Sequence, residues 1–133
     1  MEPRLSELVN AVVGKPYHPD GRGPEAWGCW HLARHILARG FGVRLPAFAV
    51  YAESTDDAER LDAARLSGDF RRTEERPGVL VLMGKSRRFR HVGAVLAPGV
   101  IVHAGRSGVG VSRSPRLAFD WPHRECWEYV GRC

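Results

Sequence analysis

The sequence predicts an α+β fold, because helical and strand patterns occupy different parts of the chain. Apolar residues recur at helical spacing in the first third, and after residue 78 they form five short runs separated by turn residues. Helices followed by a run of antiparallel strands are typical of this fold class. The chain has 133 residues, which fit one domain over residues 1–133 that can bury a hydrophobic core without disulfide bonds.

Two helices are predicted in the first third. The first is stopped by Gly14 and Pro16, and its apolar residues are Leu5, Leu8, Val9, Val12 and Val13. A loop rich in proline and glycine follows, "GKPYHPDGRGP". The second helix ends at Gly40, and its apolar stripe is formed by Cys29, Leu32, Ala33, Ile36 and Leu37. Cys29 therefore lies in the first turn of this helix, on its apolar face.

The remainder of the chain is predicted to hold one more helix and then strands. Residues 52 to 76 are polar, and we expect a short surface helix there that decorates the core and begins near Thr55 or Asp56. Strands are predicted at "VLVLM", "HVGAVL", "VIVHA", "GVGVS" and "CWEYVG". A turn at Pro98-Gly99 joins the second and third of these strands into a hairpin.

Cys29 has two interpretations at this point. A cysteine in the first helical turn lies near unpaired backbone N–H groups and the positive end of the helix dipole, which lower the pKa of a thiol. The same N–H groups could stabilise an oxyanion formed when the thiol attacks a carbonyl. Cysteine is also among the most frequently buried residue types, so Cys29 could equally fill space in the core.

A base for this thiol would have to be one of the histidines. His31 and His35 share the helix of Cys29, but residues two and six positions away do not face it. His91 and His103 flank the predicted hairpin turn, so their imidazoles lie on adjacent strands, opposite each other or one diagonal step apart. A cysteine, a histidine and a third polar group that orients the histidine form the cysteine version of a catalytic triad.

Charge and hydropathy restrict the partners. Twenty basic and fifteen acidic residues give a formal charge of +5, which favours an anionic partner such as nucleic acid, a membrane surface or bacterial cell wall. The most basic run, with Lys85, Arg87, Arg88 and Arg90, contains a single aromatic residue, Phe89, which is too little aromatic interleaving to favour nucleic acid. No apolar run could span a bilayer, and the N-terminus is unlike a signal peptide, so we expect synthesis in the cytoplasm and no membrane partner.

The cysteine count argues against disulfide bonds and gives little support to a metal. Cys29, Cys126 and Cys133 are an odd and sparse set, and the last two are most simply structural or free thiols. Cys29 with His31, and His123 with Cys126, are two half-motifs for zinc, but neither has the spacing of a strong site. We therefore expect no metal and no other cofactor.

Two blocks of the chain resemble the NlpC-type cell-wall peptidases, which are papain-like cysteine enzymes. The block "GKPYHPDGRGPEAWGCWHLARHILARGFGVRLP" is similar to their pattern G-x-P-Y, a glycine-rich turn, D-C-[S/W]-G-L-V and F-G-[I/V]-x-L-P. The block "PGVLVLMGKSRRFRHVGAVLAPGVIVHAGRSGVGVS" is similar to their G-D-L-V, H-V-G and [I/V]-H-A segments. The resemblance implies a small papain-like core, in which the cysteine-bearing helix packs on an antiparallel sheet of about five to six strands.

The resemblance also implies a role for each matched residue. Cys29 matches the nucleophile, His91 the general base, and His103 the residue that orients the base. Tyr17 matches a tyrosine beside the nucleophile that helps to bind substrate or the oxyanion, together with the backbone N–H of Cys29. Trp30 and the compact chain most resemble the versions carried in phage tail gene clusters.

Three positions depart from the family pattern. Gly28 replaces the aspartate before the cysteine, which in some relatives holds the free amine of a stem peptide. His31 replaces a glycine, and Val79 replaces the aspartate before the first core strand. The residues that match the three catalytic positions are all present, but the missing aspartate argues against the preference for a free amine.

The implied function is a peptidoglycan hydrolase, a cysteine endopeptidase or amidase acting on stem peptides. The resemblance further implies a component of a phage virion tail that opens the wall locally, with tail-tip proteins as partners. Two alternatives remain: a structural tail-tip protein that keeps the fold with little or no activity, and an injected antibacterial amidase.

Overall fold

The computed structural model describes residues 2–52 and 56–131. Its helices are α1 (Pro3–Asn10), α2 (Cys29–Phe41), α3 (Asp57–Leu66) and α4 (Ser114–Asp120). Its strands are β1 (Phe70–Thr73), β2 (Leu80–Gly84), β3 (His91–Ala97), β4 (Val100–Gly105), β5 (Gly108–Arg113) and β6 (His123–Tyr129). These strands form one antiparallel sheet in the order β1-β6-β2-β3-β4-β5, so the predicted α+β class and sheet are confirmed.

Helix α2 is the element that fixes the position of the cysteine. Its predicted apolar stripe is buried along the whole length of the helix and packs on β3 and β4. The helix runs one residue beyond the predicted end at Gly40, and Gly42 closes it in the left-handed conformation with φ of 71°. Helix α1 packs against α2 through the buried side chains of Leu5 and Val9.

The sheet separates two hydrophobic cores. Alternate side chains of β3 and β4 point to opposite faces, so Val92 and Val102 face α2, whereas Val95 and Ile101 face the other side. The larger core lies between the sheet and helices α1 to α3. The smaller core lies on the opposite face, where Leu117 of α4 covers it.

Residues 52 to 76 hold more than the predicted surface helix. Helix α3 begins after Asp56, whose side chain accepts a hydrogen bond from the Ala58 N–H, while Thr55 lies outside the described residues. Leu61 is 1% exposed and belongs to the larger core, so the prediction of a mere decoration is wrong. The helix carries only a few small or apolar core residues among many charges, and that pattern suggested a solvated element.

Strand β1 was not predicted, because only one of its four side chains is apolar and buried. Phe70 enters the larger core, whereas Arg71 and Arg72 are exposed and pair with Glu128 and Glu125 of the neighbouring strand β6. Such a charged edge strand has no alternation that sequence reasoning can detect. Helix α4 was also missed, and β6 begins three residues before the predicted start at Cys126.

In the part of the chain that the structure describes, no helix is both long and apolar enough to cross a membrane.

Candidate active site

Cys29 is the first residue of α2, and its thiol is almost enclosed. The residue is 6% exposed, and Gly28 occupies the N-cap without a side-chain hydrogen bond. The backbone groups of Val92, Trp30 and Cys29 lie near enough to its sulfur to lower the pKa of the thiol. The first comes from β3, and the other two belong to the unpaired N–H groups of the helix start. The sulfur therefore lies between the start of α2 and the start of β3.

The pKa of this thiol is raised, contrary to the expectation from its place at a helix start. Burial raises the pKa of Cys29 to about 12, and the negative charge of Asp57 adds to the effect. The three backbone groups lower it, but they do not offset the loss of water. The resting site therefore holds a neutral thiol.

His91, His103 and Ser112 form a hydrogen-bonded chain across three strands. Gly93 pairs directly with His103 in the register of β3 and β4, so His91 lies one diagonal step from His103. His91 Nε2 and His103 Nδ1 are 2.7 Å apart, and His103 Nε2 is 2.8 Å from the hydroxyl oxygen of Ser112. The hairpin thus places the second histidine and a serine behind the first, as an orienting pair would be placed.

The hydrogen-bond chain is compatible with two tautomer patterns, and one of them suits a general base. Burial, followed by the charge of His103, lowers the pKa of His91 to about 3, so its ring is neutral at ordinary pH. With the proton on Nε2, His91 donates to His103 Nδ1, and His103 donates from Nε2 to Ser112. This arrangement leaves Nδ1 of His91 as an acceptor, and it is the nitrogen that could take a proton from a thiol.

Cys29 and His91 are brought to the same end of β3 but are not directly joined. The sulfur of Cys29 lies near the backbone of Val92, the residue that follows His91, which helps to lower the pKa of the thiol. Val92 faces α2, whereas the ring of His91 stacks on Trp121, with ring centroids 5.0 Å apart. Among the described residues no hydrogen bond joins the thiol to either histidine. Contacts between nucleophile and base are often long in the absence of substrate.

Tyr17 lies near Cys29, and its predicted role in binding substrate or the oxyanion stays a prediction. It is partly buried against the larger core, and it forms an isolated bridge with Trp27, two residues before the cysteine. Burial raises the pKa of Tyr17, and the charge on Cys29 is the next cause. The phenol therefore stays protonated and keeps a hydrogen-bond donor near the sulfur.

The local packing explains two of the departures from the family pattern. A Cβ atom added at Gly28 would lie 2.6 Å from the carbonyl oxygen of Pro19, so the fold of this loop excludes an aspartate there. Val79 is 1% exposed in the smaller core, where a carboxylate would be buried without a partner.

Three residues near the site were not singled out as functional from the sequence. Ser112 ends the hydrogen-bond chain. In the sequence it is marked only as a polar residue on the same face of β5 as Gly110. Trp121 stacks on His91 from beyond α4, an element that was missed. Asp57 raises the pKa of both Cys29 and Tyr17, and it comes from α3, which had been taken as peripheral.

Most of the basic side chains in the run between β2 and β3 bond to other residues of this chain. Arg88 and Arg90 pair with Asp56 at 3.3 and 3.9 Å. The Lys85 ammonium donates to the carbonyl of Asp120 at 3.2 Å. Arg87 is exposed. These three contacts within the chain indicate a structural role for the basic run.

No metal centre is formed in residues 2–52 and 56–131, where no three His, Cys, Asp or Glu side chains converge on one point. Cys29 and Cys126 are free thiols, and both are buried. Cys133 lies outside the described residues.

Replacing Gly93 with alanine is expected to disturb the histidine pair. The new Cβ would lie 2.9 Å from the carbonyl oxygen of Val102 and 3.1 Å from the Cβ of His103. Neither can move without shifting β4, so we expect a loss of about 1–3 kcal/mol in the free energy of unfolding. Urea unfolding followed by circular dichroism measures it. An alanine at Gly110, where a Cβ meets nothing, is the matched control and should cost less.

The buried thiol should react slowly with iodoacetamide at neutral pH. Because burial raises the pKa of Cys29 to about 12, its thiolate fraction and its alkylation rate should keep rising with pH through the alkaline range. Mass spectrometry of the tryptic peptides separates Cys29 from the other cysteines. A rate that levels off near pH 7 would show that the thiolate is already formed.

Comparisons with known proteins agree with this architecture. NlpC1 from Trichomonas vaginalis is 17% identical with a TM-score of 0.56, and the match covers 95% of this chain and 43% of that one. A lipoprotein-like NLP/P60-family protein from Staphylococcus aureus is 17% identical with a TM-score of 0.55, and the match covers 100% and 43%. This chain therefore spans less than half the length of either structure, and at such identity the likeness shows the fold alone.

A comparison with the curated proteins found no match. The family model of NlpC/P60 matches residues 14–124, a stretch that includes Tyr17, Cys29, His91 and His103. The chain therefore belongs to the NlpC/P60 family.

Proposed function

We propose that this chain is a cysteine peptidase or amidase that cleaves the peptides of peptidoglycan. Membership of the NlpC/P60 family supports a cell-wall hydrolase. The observation that carries the proposal is the meeting of two features at the start of β3. One is a thiol surrounded by backbone N–H groups, and the other is a neutral histidine oriented by a second histidine.

In the proposed reaction, the sulfur of Cys29 attacks the carbonyl carbon of a peptide bond, and Nδ1 of His91 takes the thiol proton. The backbone N–H of Cys29 and the hydroxyl of Tyr17 stabilise the oxyanion. The C–N bond then breaks, His91 gives its proton to the leaving amine, and a thioester remains. Water hydrolyses the thioester, His91 takes a proton from the water and returns it to the sulfur, and the carboxylic acid leaves.

His103 and Ser112 act through His91 rather than on the substrate. The hydrogen bond to His103 holds the His91 ring in the tautomer that exposes Nδ1, and Ser112 does the same for His103.

The place of action that we propose is the tail of a phage particle, where the enzyme would open the wall locally beside other tail-tip proteins. The proposal is supported by the resemblance of the sequence to the versions carried in phage tail gene clusters, and Trp30 is one of the residues that match. In the structure Trp30 is buried and stacks on Phe48 with ring centroids 4.7 Å apart, which gives it a packing role as well. Detection of the chain by mass spectrometry in purified particles tests this assignment, and its absence there contradicts it.

The activity is tested by incubating the purified protein with peptidoglycans of several cross-link types and analysing the released fragments by mass spectrometry. Fragments that appear only with the folded protein support the proposal, and their masses identify the bond. Heat-denatured protein is the control. Failure of the folded protein to release fragments from any wall type would favour a structural tail protein that keeps the fold without the chemistry.

A further inference from the structure

A pocket of about 310 Å³ lies on the outer face of α2. His31, Arg34 and His35 contribute from the helix, and each is half-buried. Arg22 and Arg44 reach in from the loops on either side of the helix. Five side chains that carry or can gain a positive charge therefore converge on one concave surface, which the proposed chemistry does not use.

This pocket is separate from the candidate active site. A helix turns by roughly 100° per residue, so positions 31, 34 and 35 point roughly 140° to 240° away from position 29. Cys29 faces the sheet, and these three residues face away from it. A change in the pocket therefore need not alter the surroundings of the thiol.

The positive charges in the pocket are not neutralised by the chain. No acidic side chain lines the pocket. Within the described ranges, Arg22, Arg34 and Arg44 form no ion pair with a carboxylate. Burial, followed by the charges of Arg22 and Arg34, lowers the pKa of His31, and the opposing charge of Asp20 does not offset them. Three unneutralised guanidinium groups together favour an anionic ligand.

One further feature suits the pocket to such a ligand. Arg34 donates from Nε to the carbonyl oxygen of Leu45 at 2.7 Å, which fixes its guanidinium at the pocket wall and leaves the terminal N–H groups available. Trp27 also lines the pocket and is 5% exposed. Its indole N–H is enclosed and has no hydrogen-bond partner, so it is a reporter of changes at this wall rather than a ligand contact.

We propose that this pocket binds the phosphate group of an organic phosphate. A carboxylate carries one negative charge, whereas a phosphate monoester carries between one and two near pH 7. The three positive charges of the guanidinium groups therefore suit the phosphate monoester better. The volume is larger than one phosphate ion requires, and Trp27, Ala38 and Leu45 provide apolar wall for the organic part. The proposal does not depend on the hydrolase activity.

The test is a titration of ¹⁵N-labelled protein with glycerol 3-phosphate and with inorganic phosphate, followed through the assigned indole N–H signal of Trp27. We expect a saturable shift with glycerol 3-phosphate, with a Kd on the order of 1 mM, and weaker binding of inorganic phosphate. Sodium acetate and sodium chloride at matched ionic strength separate phosphate binding from carboxylate binding and from screening.

Three variants make the test specific. Arg44→Gln removes an exposed guanidinium at the rim, and Arg34→Gln removes the one fixed by Leu45; each should weaken binding at least about tenfold. Arg87→Gln removes the same charge elsewhere and should leave the Kd unchanged.

The proposal is overturned by the absence of a saturable shift, by an equal response to acetate or inorganic phosphate, or by equal weakening in Arg87→Gln. If Arg34→Gln fails to fold, Arg44→Gln decides alone.

Discussion

The Cys29→Ala variant is expected to release no detectable fragments from a peptidoglycan that the wild-type protein digests. The sulfur is the atom that forms the thioester, so its removal leaves no path through a covalent intermediate, and the rate should fall by about 10⁴-fold or more. The fold should survive, because a small apolar side chain replaces a buried thiol at a cost of about 1 kcal/mol. Rates come from the mass-spectrometric digest, and folding is checked by circular dichroism.

Cys126→Ala is the matched control for this variant. Cys126 is also buried and free, but it lies in the smaller core on the other face of the sheet. Its replacement should leave the digest unchanged. Full activity in Cys29→Ala would refute the proposed mechanism, and equal loss in both variants would point to a disturbed fold instead.

The His91→Gln variant is expected to lower kcat by about 10²- to 10⁴-fold, the usual contribution of a general base. Glutamine is close to histidine in size and keeps a polar group at the start of β3, but it cannot accept and return a proton. KM should change much less than kcat, because His91 acts on the thiol rather than on the bound peptide. Initial rates over a range of substrate concentrations separate the two effects.

The His103→Asn variant distinguishes a positioning role from a purely structural one. His103 is the second cause, after burial, of the lowered pKa of His91. Since a base with a low pKa stays neutral well below pH 6.5, the wild-type rate should persist into mildly acidic solution. Removing His103 raises the pKa of His91 and should move the acidic limb of the kcat/KM profile to higher pH. A lower rate with an unmoved limb would contradict the positioning role.

Much of this arrangement could be predicted from local patterns. The spacing of apolar residues from Cys29 to Leu37 requires a helix with the cysteine on its buried face, and the structure has that helix. The turn at Pro98-Gly99, with the alternation on either side, places His91 one diagonal step from His103. These features depend on residues close in sequence, so periodicity and turn chemistry are sufficient to predict them.

Contacts between distant segments could not be predicted in the same way. Strand β1 forms because Phe70 packs in the larger core and because Arg71 and Arg72 pair with Glu128 and Glu125 of β6, which are distant in sequence. Ser112 reaches His103 because β5 pairs with β4, and Trp121 reaches His91 because α4, which precedes it, packs on the smaller core.

The fold class, the position of Cys29 at a helix start and the pairing of the two histidines could be predicted from local patterns, because each follows from residues a few positions apart. The protonation of the thiol depends on the packed structure, since burial and the charge of Asp57 outweigh the local helix effect. The packed structure also decided why residue 28 is glycine, because the backbone of Pro19 occupies the space of a side chain there. The pocket on the outer face of α2 likewise depends on packing, because its arginines come from three separate segments of the chain.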